Sequence, residues 1–245
     1  MKKNIFVFIF LLLMINIYSD ENIFKRIFFD DFITTGKTFI ENPVYSVIGL
    51  GGLGLATIAI MNNDLIIKEY FNNNKTEFAD KLFDFFNMTG DGLAVLAFNS
   101  FLFLFSEKEK KTAENIIEAI AVSGATSYII KVLSGRQRPG NTDNRYDFNM
   151  FSFNDSFPSG HTTVAFAWAT VIAENYGIWY ITYPIAAMCG LARIYKNMHW
   201  ASDVFVGSAI GIFSAKVICS YQNKNVFLST KFDEKTSILL VNIKY

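Results

Sequence analysis

Apolar stretches separated by short polar segments run along the chain and predict a mainly helical protein. After a first apolar run at residues 5–18, six further stretches are long enough for helices. They lie at residues 44–61, 88–106, 114–133, 161–175, 178–195 and 201–220. A polar segment with an apolar stripe indicates a connecting helix at residues 62–83, and weak alternation indicates an extended tail at residues 221–245. The pattern predicts an all-α fold, a compact six-helix bundle with a short C-terminal extended tail.

The N-terminus has the character of an export signal. Two lysines precede the first apolar run, and the small residue Ser19 stands before an acidic pair. The run is shorter than the roughly 20 residues of a membrane span. We interpret residues 1–19 as a signal peptide, with an uncleaved signal anchor as the alternative. The remaining divisions are N-terminal helices (20–90), a core (91–220) and the tail (221–245).

Hydropathy leaves open whether the bundle spans a membrane. After the signal, only residues 44–61 and 175–192 reach about 18 uncharged residues, and apolar runs of about 10–14 are more often buried core helices. The mean hydropathy of +0.27 lies between values typical of soluble domains and of polytopic membrane proteins. The bundle is therefore either membrane-embedded, membrane-associated or a compact bundle in water.

Composition excludes several classes of protein. Hydrophobic residues make up 51% of the 245 residues, and 22 basic residues balance 22 acidic ones. A disordered chain would have low hydrophobicity and high charge, and a nucleic-acid-binding protein would have a basic excess. The two cysteines are too few for a disulfide framework or a cysteine-based zinc cluster.

Two polar clusters provide residues suited to phosphate. Lys131 ends a predicted helix and Arg138 follows seven residues later, which combines a point charge with a planar fork. Arg136 is a second cation nearby, and a basic helix end would also explain this cluster. In the second cluster, Ser159 can cap the next helix, and the Gly160 amide can approach an anion closely. His161 can then give a proton to a group bound there.

A third cluster combines Arg193, His199 and Asp203. In a helix, Asp203 lies one turn from His199, so its carboxylate can hold the imidazole N–H and leave the other ring nitrogen free to attack. Arg193 adds a further contact for an anion. A surface His–Asp pair at a helix start would also explain this cluster when it is considered alone.

The three clusters in this order resemble the signature of the type 2 phosphatidic acid phosphatase superfamily. That superfamily includes lipid phosphatases, bacterial non-specific acid phosphatases and vanadium haloperoxidases. The pattern Lys-x6-Arg-Pro, Pro-Ser-Gly-His and Arg-x5-His-x3-Asp is matched at every catalytic position, and Ala192 is the one departure, where Ser is common. The resemblance covers residues 90–220 and implies the six-helix bundle of that superfamily.

The resemblance implies a role for each matched residue. His199 is the nucleophile that forms a phosphohistidine, Asp203 orients it, and His161 protonates the leaving oxygen. The phosphoryl oxygens are held by five residues: Lys131, Arg138, Ser159, Gly160 and Arg193. No cofactor or metal is implied, because each histidine stands alone rather than in a ligand-spaced pair.

The leading hypothesis is a metal-independent phosphatase of lipid phosphates or diphosphates. Its partners would be the membrane and a phospholipid or polyprenyl phosphate substrate, of the phosphatidic acid, phosphatidylglycerol phosphate, polyprenyl diphosphate or lipid A class, and no nucleic acid. The alternatives are a soluble periplasmic acid phosphatase, a vanadate-dependent haloperoxidase and a non-enzymatic phosphate-binding or structural membrane protein. The polar loop at residues 140–157 is expected to overhang the site and to select among substrates.

The distribution of Lys and Arg predicts which side of the membrane the site faces. With six spans, Lys131, His161 and His199 share one side, and the other side is richer in Lys and Arg outside the motifs. The positive-inside rule then places the site outside the cytoplasm. A cleaved signal followed by six spans would reverse this, whereas an odd number of spans or a non-spanning bundle would not. We expect a bacterial inner-membrane protein with a periplasm-facing site, or a soluble periplasmic protein.

Overall fold

The computed structural model describes residues 43–223, 226–233 and 236–243. Within these residues the chain forms eight α-helices, a 3-10 turn at Met88–Gly90 and one antiparallel hairpin. The helices are α1 (Pro43–Met61), α2 (Asp64–Asn73), α3 (Glu77–Asn87), α4 (Gly92–Leu102), α5 (Glu107–Ser134), α6 (Gly160–Tyr176), α7 (Trp179–Tyr195) and α8 (Ala201–Asn223). The hairpin consists of β1 (Val226–Asp233) and β2 (Thr236–Ile243). The predicted signal at residues 1–19 lies outside the described residues.

The helical architecture is confirmed, but the predicted number of six helices is too low. The polar segment after α1 forms two helices, because Thr76 interrupts it and caps α3 by accepting a hydrogen bond from the Ala79 amide (3.1 Å). The predicted helix 88–106 is shorter, since Asp91 caps α4 by accepting from the Ala94 amide (2.9 Å). The tail is extended, as expected, and forms the hairpin.

The core lies around α6, which contacts α5, α7 and α8. Small residues allow these helices to pack closely, and α6 buries alanines at four positions: Ala165, Ala167, Ala169 and Ala173. On α8, a Cβ added to Gly211 would lie 2.4 Å from the carbonyl oxygen of Thr163, and one added to Gly207 would lie 2.6 Å from that of Ser159. The two glycines therefore bring the start of α8 against the backbone at the start of α6.

Two helices are long and apolar enough to cross a membrane, judged by length and composition. They are Glu107–Ser134 and the Ala201–Ser220 part of α8, and the bent pair of α1 and α2 would count as a third if it forms one span. The helices α6 and α7 have 17 residues each, which corresponds to about 26 Å and is less than the roughly 30 Å of a hydrocarbon core. The uncharged stretch 175–192, predicted as one of the two longest, is divided between α6 and α7.

Candidate active site

The structure gathers the three sequence clusters at one end of the bundle, where α5 and α7 end and α6 and α8 begin. The Ser159 amide donates to the carbonyl oxygen of Asp203 (3.0 Å), and Lys131 Cε lies 3.8 Å from the position of a Cβ added to Gly160. All eight sequence-predicted site residues lie in this region: Lys131, Arg138, Ser159, Gly160, His161, Arg193, His199 and Asp203.

The imidazole of His199 is buried, and its Nδ1 lies 2.7 Å from the carbonyl oxygen of Ser156. Since a carbonyl oxygen can only accept, Nδ1 carries the proton and Nε2 keeps its lone pair. The sequence spacing predicts a hydrogen bond from His199 to Asp203, but the nearest carboxylate oxygen lies 3.8 Å from Nδ1, beyond hydrogen-bond distance. The Ser156 carbonyl takes its place as the partner of Nδ1. Burial lowers the pKa of His199, and the Asp203 carboxylate opposes this effect only in part. The site therefore holds a neutral imidazole with Nε2 available at neutral pH.

Asp203 acts on His199 mainly through the loop that precedes α6. Its Oδ2 accepts hydrogen bonds from the Ser156 hydroxyl (2.6 Å) and from the Trp200 amide (2.9 Å). The first bond fixes the residue whose carbonyl holds the imidazole, and the second fixes the backbone next to His199. Asp203 is therefore placed to set both ends of the His199 hydrogen bond.

A buried ion network extends from Asp203 to the N-terminal helices. Arg136 is fully buried and pairs with Oδ1 of Asp203 on one side and with Oδ2 of Asp64 on the other (2.9 Å). Asp64 is also buried and accepts from the amide (3.0 Å) and the hydroxyl of Ser202. Buried charges are tolerated when they are paired and hydrogen-bonded, and this network meets both conditions.

Asp155 connects the two cations of the first cluster. Its carboxylate binds Arg138 in a bidentate pair (2.7 and 2.6 Å), and its carbonyl oxygen accepts from the Lys131 ammonium group. Burial alone would raise the pKa of Asp155, but the hydrogen bond and charge of Arg138, together with Lys131, hold that pKa below its usual range. The Asp155 carboxylate thus occupies the planar guanidinium fork of Arg138, whose geometry also suits a phosphate group.

Arg193 lies in the last turn of α7 and is 6% exposed. Its NH1 donates to the side-chain oxygen of Asn87 (2.7 Å), whereas its Nε has no hydrogen-bond partner among the described residues. The carbonyl oxygen of Arg193 accepts from the amides of Met198 and His199 (3.0 and 3.2 Å). This folded connection keeps the guanidinium and the imidazole in one cluster, with a donor left over for an anion.

His161 lies in the first turn of α6. Burial lowers its pKa to about 4, and the positive charge of Arg193 contributes to the same shift. Both causes disfavour the imidazolium form, so His161 is neutral at neutral pH when no anion is bound. A phosphate group nearby would favour the charged form, because an opposite charge stabilises it.

Ser159 occupies the N-cap position of α6, as predicted, but its side chain does not cap the helix. Its hydroxyl lies 2.9 Å from the hydroxyl of Thr162 instead of a backbone amide, and its carbonyl oxygen accepts from the Thr163 amide and hydroxyl. The first amides of α6 are therefore not occupied by the Ser159 side chain, which suits an anion at this helix start.

Five residues of the site were not among the sequence-predicted set: Asp64, Asn87, Arg136, Ser156 and Asp155. Arg136 was visible as a second cation of the first cluster. Ser156 and Asp155 stand just before the Pro-Ser-Gly-His segment, so a wider window around that motif would have included them. Asp64 and Asn87 carry no local signal, since only the tertiary fold brings them to the site.

An α-helical bundle with two histidines and several cations at one end defines a class of helical proteins whose site suits a phosphoryl group. Within that class, the chain belongs to the PAP2 superfamily, whose model matches residues 113–227. The family assignment also rests on a solved relative, the crystal structure of Aquifex aeolicus LpxE. It is 30% identical, with a TM-score of 0.54, and the match covers 64% of this chain and 94% of that one.

Two further comparisons extend the similarity. A lipid A 1-phosphatase from Porphyromonas gingivalis is 49% identical over 63 residues, which are 24% of this chain and 14% of that protein. The PAP2-type phosphatidylglycerolphosphate phosphatase of Bacillus subtilis is 16% identical, with a TM-score of 0.56 over 71% of this chain and 96% of that one, and it supports the fold alone. The matched segments span 14%, 44%, 40% and 58% of the lengths of four curated relatives.

Proposed function

We propose that this protein is a membrane phosphatase that removes a phosphate group from a lipid through a phosphohistidine intermediate. The observation that carries the proposal is the state of His199. Its Nδ1 proton is committed to the Ser156 carbonyl, so Nε2 keeps a lone pair within a cluster of three cations, Lys131, Arg138 and Arg193. A neutral nucleophile in a cationic site can approach a phosphoryl group in line.

The first chemical step forms a bond between Nε2 of His199 and phosphorus. The bond from phosphorus to the leaving oxygen breaks at the same time, and its electron pair stays on that oxygen. His161, protonated once the phosphate dianion is bound, gives its proton to the leaving oxygen. The cations stabilise the charge that develops on the phosphoryl oxygens.

The second step hydrolyses the phosphohistidine. His161, now neutral, takes a proton from a water molecule, and the water oxygen attacks phosphorus. The bond between phosphorus and Nε2 breaks, which returns His199 to its starting form and releases inorganic phosphate. The negative charge of the bound phosphate stabilises the protonated form of His161 until inorganic phosphate leaves.

We infer that the substrate is a lipid phosphate, with the lipid A class as the first candidate. Two observations support this choice: two helices are long and apolar enough to span a membrane, and the P. gingivalis relative is a lipid A 1-phosphatase. That relative matches only a short segment, so the assay must also include other lipid phosphates.

We infer that the site faces the periplasm. Three lysines near the start of α5, Lys108, Lys110 and Lys111, lie at the end of this helix opposite to Lys131. Lys131 follows Lys111 by 20 positions, which correspond to about 30 Å of helix, the thickness of a hydrocarbon core. The positive-inside rule places the lysine-rich end in the cytoplasm and the site on the other side.

Phosphate release by the detergent-purified full chain tests the proposed function. The panel contains lipid A, phosphatidic acid, phosphatidylglycerol phosphate, a polyprenyl diphosphate and the soluble ester p-nitrophenyl phosphate, each with and without EDTA. We expect EDTA-insensitive release from at least one lipid and none from His199→Ala. Absence of release from every lipid would overturn the proposal, and release from the soluble ester alone would indicate a general acid phosphatase.

A further inference from the structure

An apolar groove with a volume of about 330 Å³ opens on the side of the bundle. Its walls come from α3, α4, α5, α6 and α7 and from the 3-10 turn, and almost all the surface that lines it is apolar. The amide of Asn99 on α4 donates to the carbonyl oxygen of Ala113 on α5 (2.9 Å), which ties two of these walls together. The volume lies near the lower end of the range of small-molecule sites, about 300–1,000 Å³.

One end of the groove adjoins the candidate active site. Phe86 and Met88 line the groove, and Asn87 between them accepts the hydrogen bond from Arg193 (2.7 Å). The 3-10 turn then brings Gly90 so close to α6 that an added Cβ would lie 2.4 Å from the carbonyl oxygen of His161. The groove therefore begins at the two sequence neighbours of Asn87, the residue that accepts the hydrogen bond from Arg193.

From this end, the groove runs along the bundle away from the site. On α6 it is lined by Trp168 and Ile172, which follow His161 by seven and eleven residues, or about 10 and 16 Å of helix. On the antiparallel α7 it is lined by Ile185, eight residues or about 12 Å before Arg193. Both helices thus place the far end of the groove more than about 10 Å from the site, in the direction of the membrane interior.

The rim of the groove is exposed and apolar. Phe85, Met88 and Phe98 are 63%, 60% and 66% exposed. In a membrane these side chains face lipid tails, so a chain can enter the groove sideways without crossing water. An apolar space that starts beside the candidate active site and runs along the bundle fits a linear hydrocarbon chain attached to a phosphorylated headgroup.

We propose that this acyl groove, lined by Phe86, Val95, Phe98, Trp168, Ile172 and Ile185, holds one acyl chain of the lipid whose phosphate is bound at His199. The proposal rests on the proposed function and adds a determinant of substrate choice to it. The headgroup would be selected by the cations at the end of the bundle, and the chain length would be selected by the groove.

The test compares the lipid phosphate that the wild-type chain hydrolyses fastest with the same headgroup carrying six-carbon chains. Ile172→Trp fills the groove, and Phe98→Ala removes part of its exposed wall. Ile58→Trp is the matched control, because Ile58 on α1 is exposed and lies outside the groove. We expect Ile172→Trp to lower kcat/KM for the long-chain lipid about tenfold, and to leave kcat/KM for the short-chain lipid unchanged.

Phe98→Ala should lower the long-chain preference in the same direction, and Ile58→Trp should not change it. Retained short-chain turnover shows that each variant is folded. If Ile172→Trp and Phe98→Ala keep the wild-type chain preference, or lower turnover of both lipids equally, the acyl groove is wrong. A change of oligomeric state in place of chain preference would instead assign the groove to a second copy. Failure of the wild-type chain on every lipid would overturn the proposed function itself.

Discussion

The protonation of His161 depends on the charges around its imidazole. Burial and the positive charge of Arg193 hold the pKa of His161 at about 4, so this imidazole is nearly all in the neutral form at neutral pH. A phosphate dianion bound nearby would raise that pKa, because an opposite charge stabilises the imidazolium form. In the proposed reaction the charge of the substrate therefore generates the acid, because His161 takes up its proton only beside the phosphate.

The substitution His161→Asn tests this role through the leaving group. A lipid alkoxide needs a proton to leave, so we expect kcat for the lipid phosphate to fall by about 10²–10⁴. Nitrophenolate leaves readily without a proton, so the loss on p-nitrophenyl phosphate should be much smaller. Rates of phosphate release on both substrates measure the difference. Equal losses on both would show that His161 binds or positions rather than protonates.

The Asp64–Arg136–Asp203 network links the site to an N-terminal helix and should be costly to break. Removing one member leaves a buried charge without its partner, so Asp64→Ala is expected to lower stability by about 3–5 kcal/mol. Asp84→Ala is the control, because it removes a more exposed ion pair with Lys196 and should cost about 0–1 kcal/mol. Denaturation in detergent measures the loss of stability of the two variants. Equal losses would mean that the buried ion pair stabilises the fold no more than the exposed one.

The spacing of motif residues predicts which residues form the site, but it does not predict which atoms they contact. His199 and Asp203 are neighbours as expected, yet His199 bonds to the Ser156 carbonyl and Asp203 acts through Ser156 and Arg136. Sequence spacing reports only on helical neighbours, whereas backbone carbonyls of an irregular loop have no sequence signature. For the same reason Asp64, 139 residues from Asp203, could not be assigned to the site before the fold was known.

At the scale of elements, the approach of α6 and α8 determines how the two histidine clusters meet. Gly211 has no room for a side chain, since an added Cβ would overlap the backbone of Thr163 and Ala167. Gly211→Ala should therefore separate the helices and cost about 1–3 kcal/mol. Gly124→Ala on α5 is the matched control, because its Cβ would meet nothing within 4 Å and Ala favours a helix by about 0.5–1 kcal/mol.

Melting temperatures of the two alanine variants provide the measurement. We expect a lower Tm and weaker phosphate release for Gly211→Ala, and an unchanged or higher Tm for Gly124→Ala. A Gly211→Ala variant as stable as the wild type would mean that α6 and α8 do not pack as closely as the structure indicates.

Sequence patterns predict the elements where apolar runs are long, and they fail where capping residues determine the helix ends. The helices at 114–133 and 201–220 were found within α5 and α8, but α5 begins earlier, because Glu107 and Glu109 suit a helix N-terminus. The apolar stripe of the segment 62–83 predicts one helix, whereas Thr76 divides it into two. Caps change the number of helices without changing hydropathy, so a pattern of apolar runs cannot count them.

At the scale of the whole molecule, the lysine-rich start of α5, the proposed acyl groove and the candidate site follow one another along one axis, the length of the bundle. Lys131 lies at one end of a 28-residue helix, and the lysines near its start lie at the other end. A headgroup bound at the site and a chain in the groove would then have the orientation of a lipid in one leaflet. The side of the membrane from which the substrate comes depends only on which end of this axis faces the cytoplasm.

Cysteine labelling in intact bacterial cells tests that orientation. Asn141→Cys places a thiol on the exposed loop at the site end, and Glu107→Cys places one at the opposite end. Both native cysteines are buried, so their background labelling should be low. With a periplasmic site, a membrane-impermeant maleimide should label Asn141→Cys in intact cells and Glu107→Cys only after permeabilisation. The reverse pattern would place the site in the cytoplasm, and its substrate would then be a lipid of the inner leaflet.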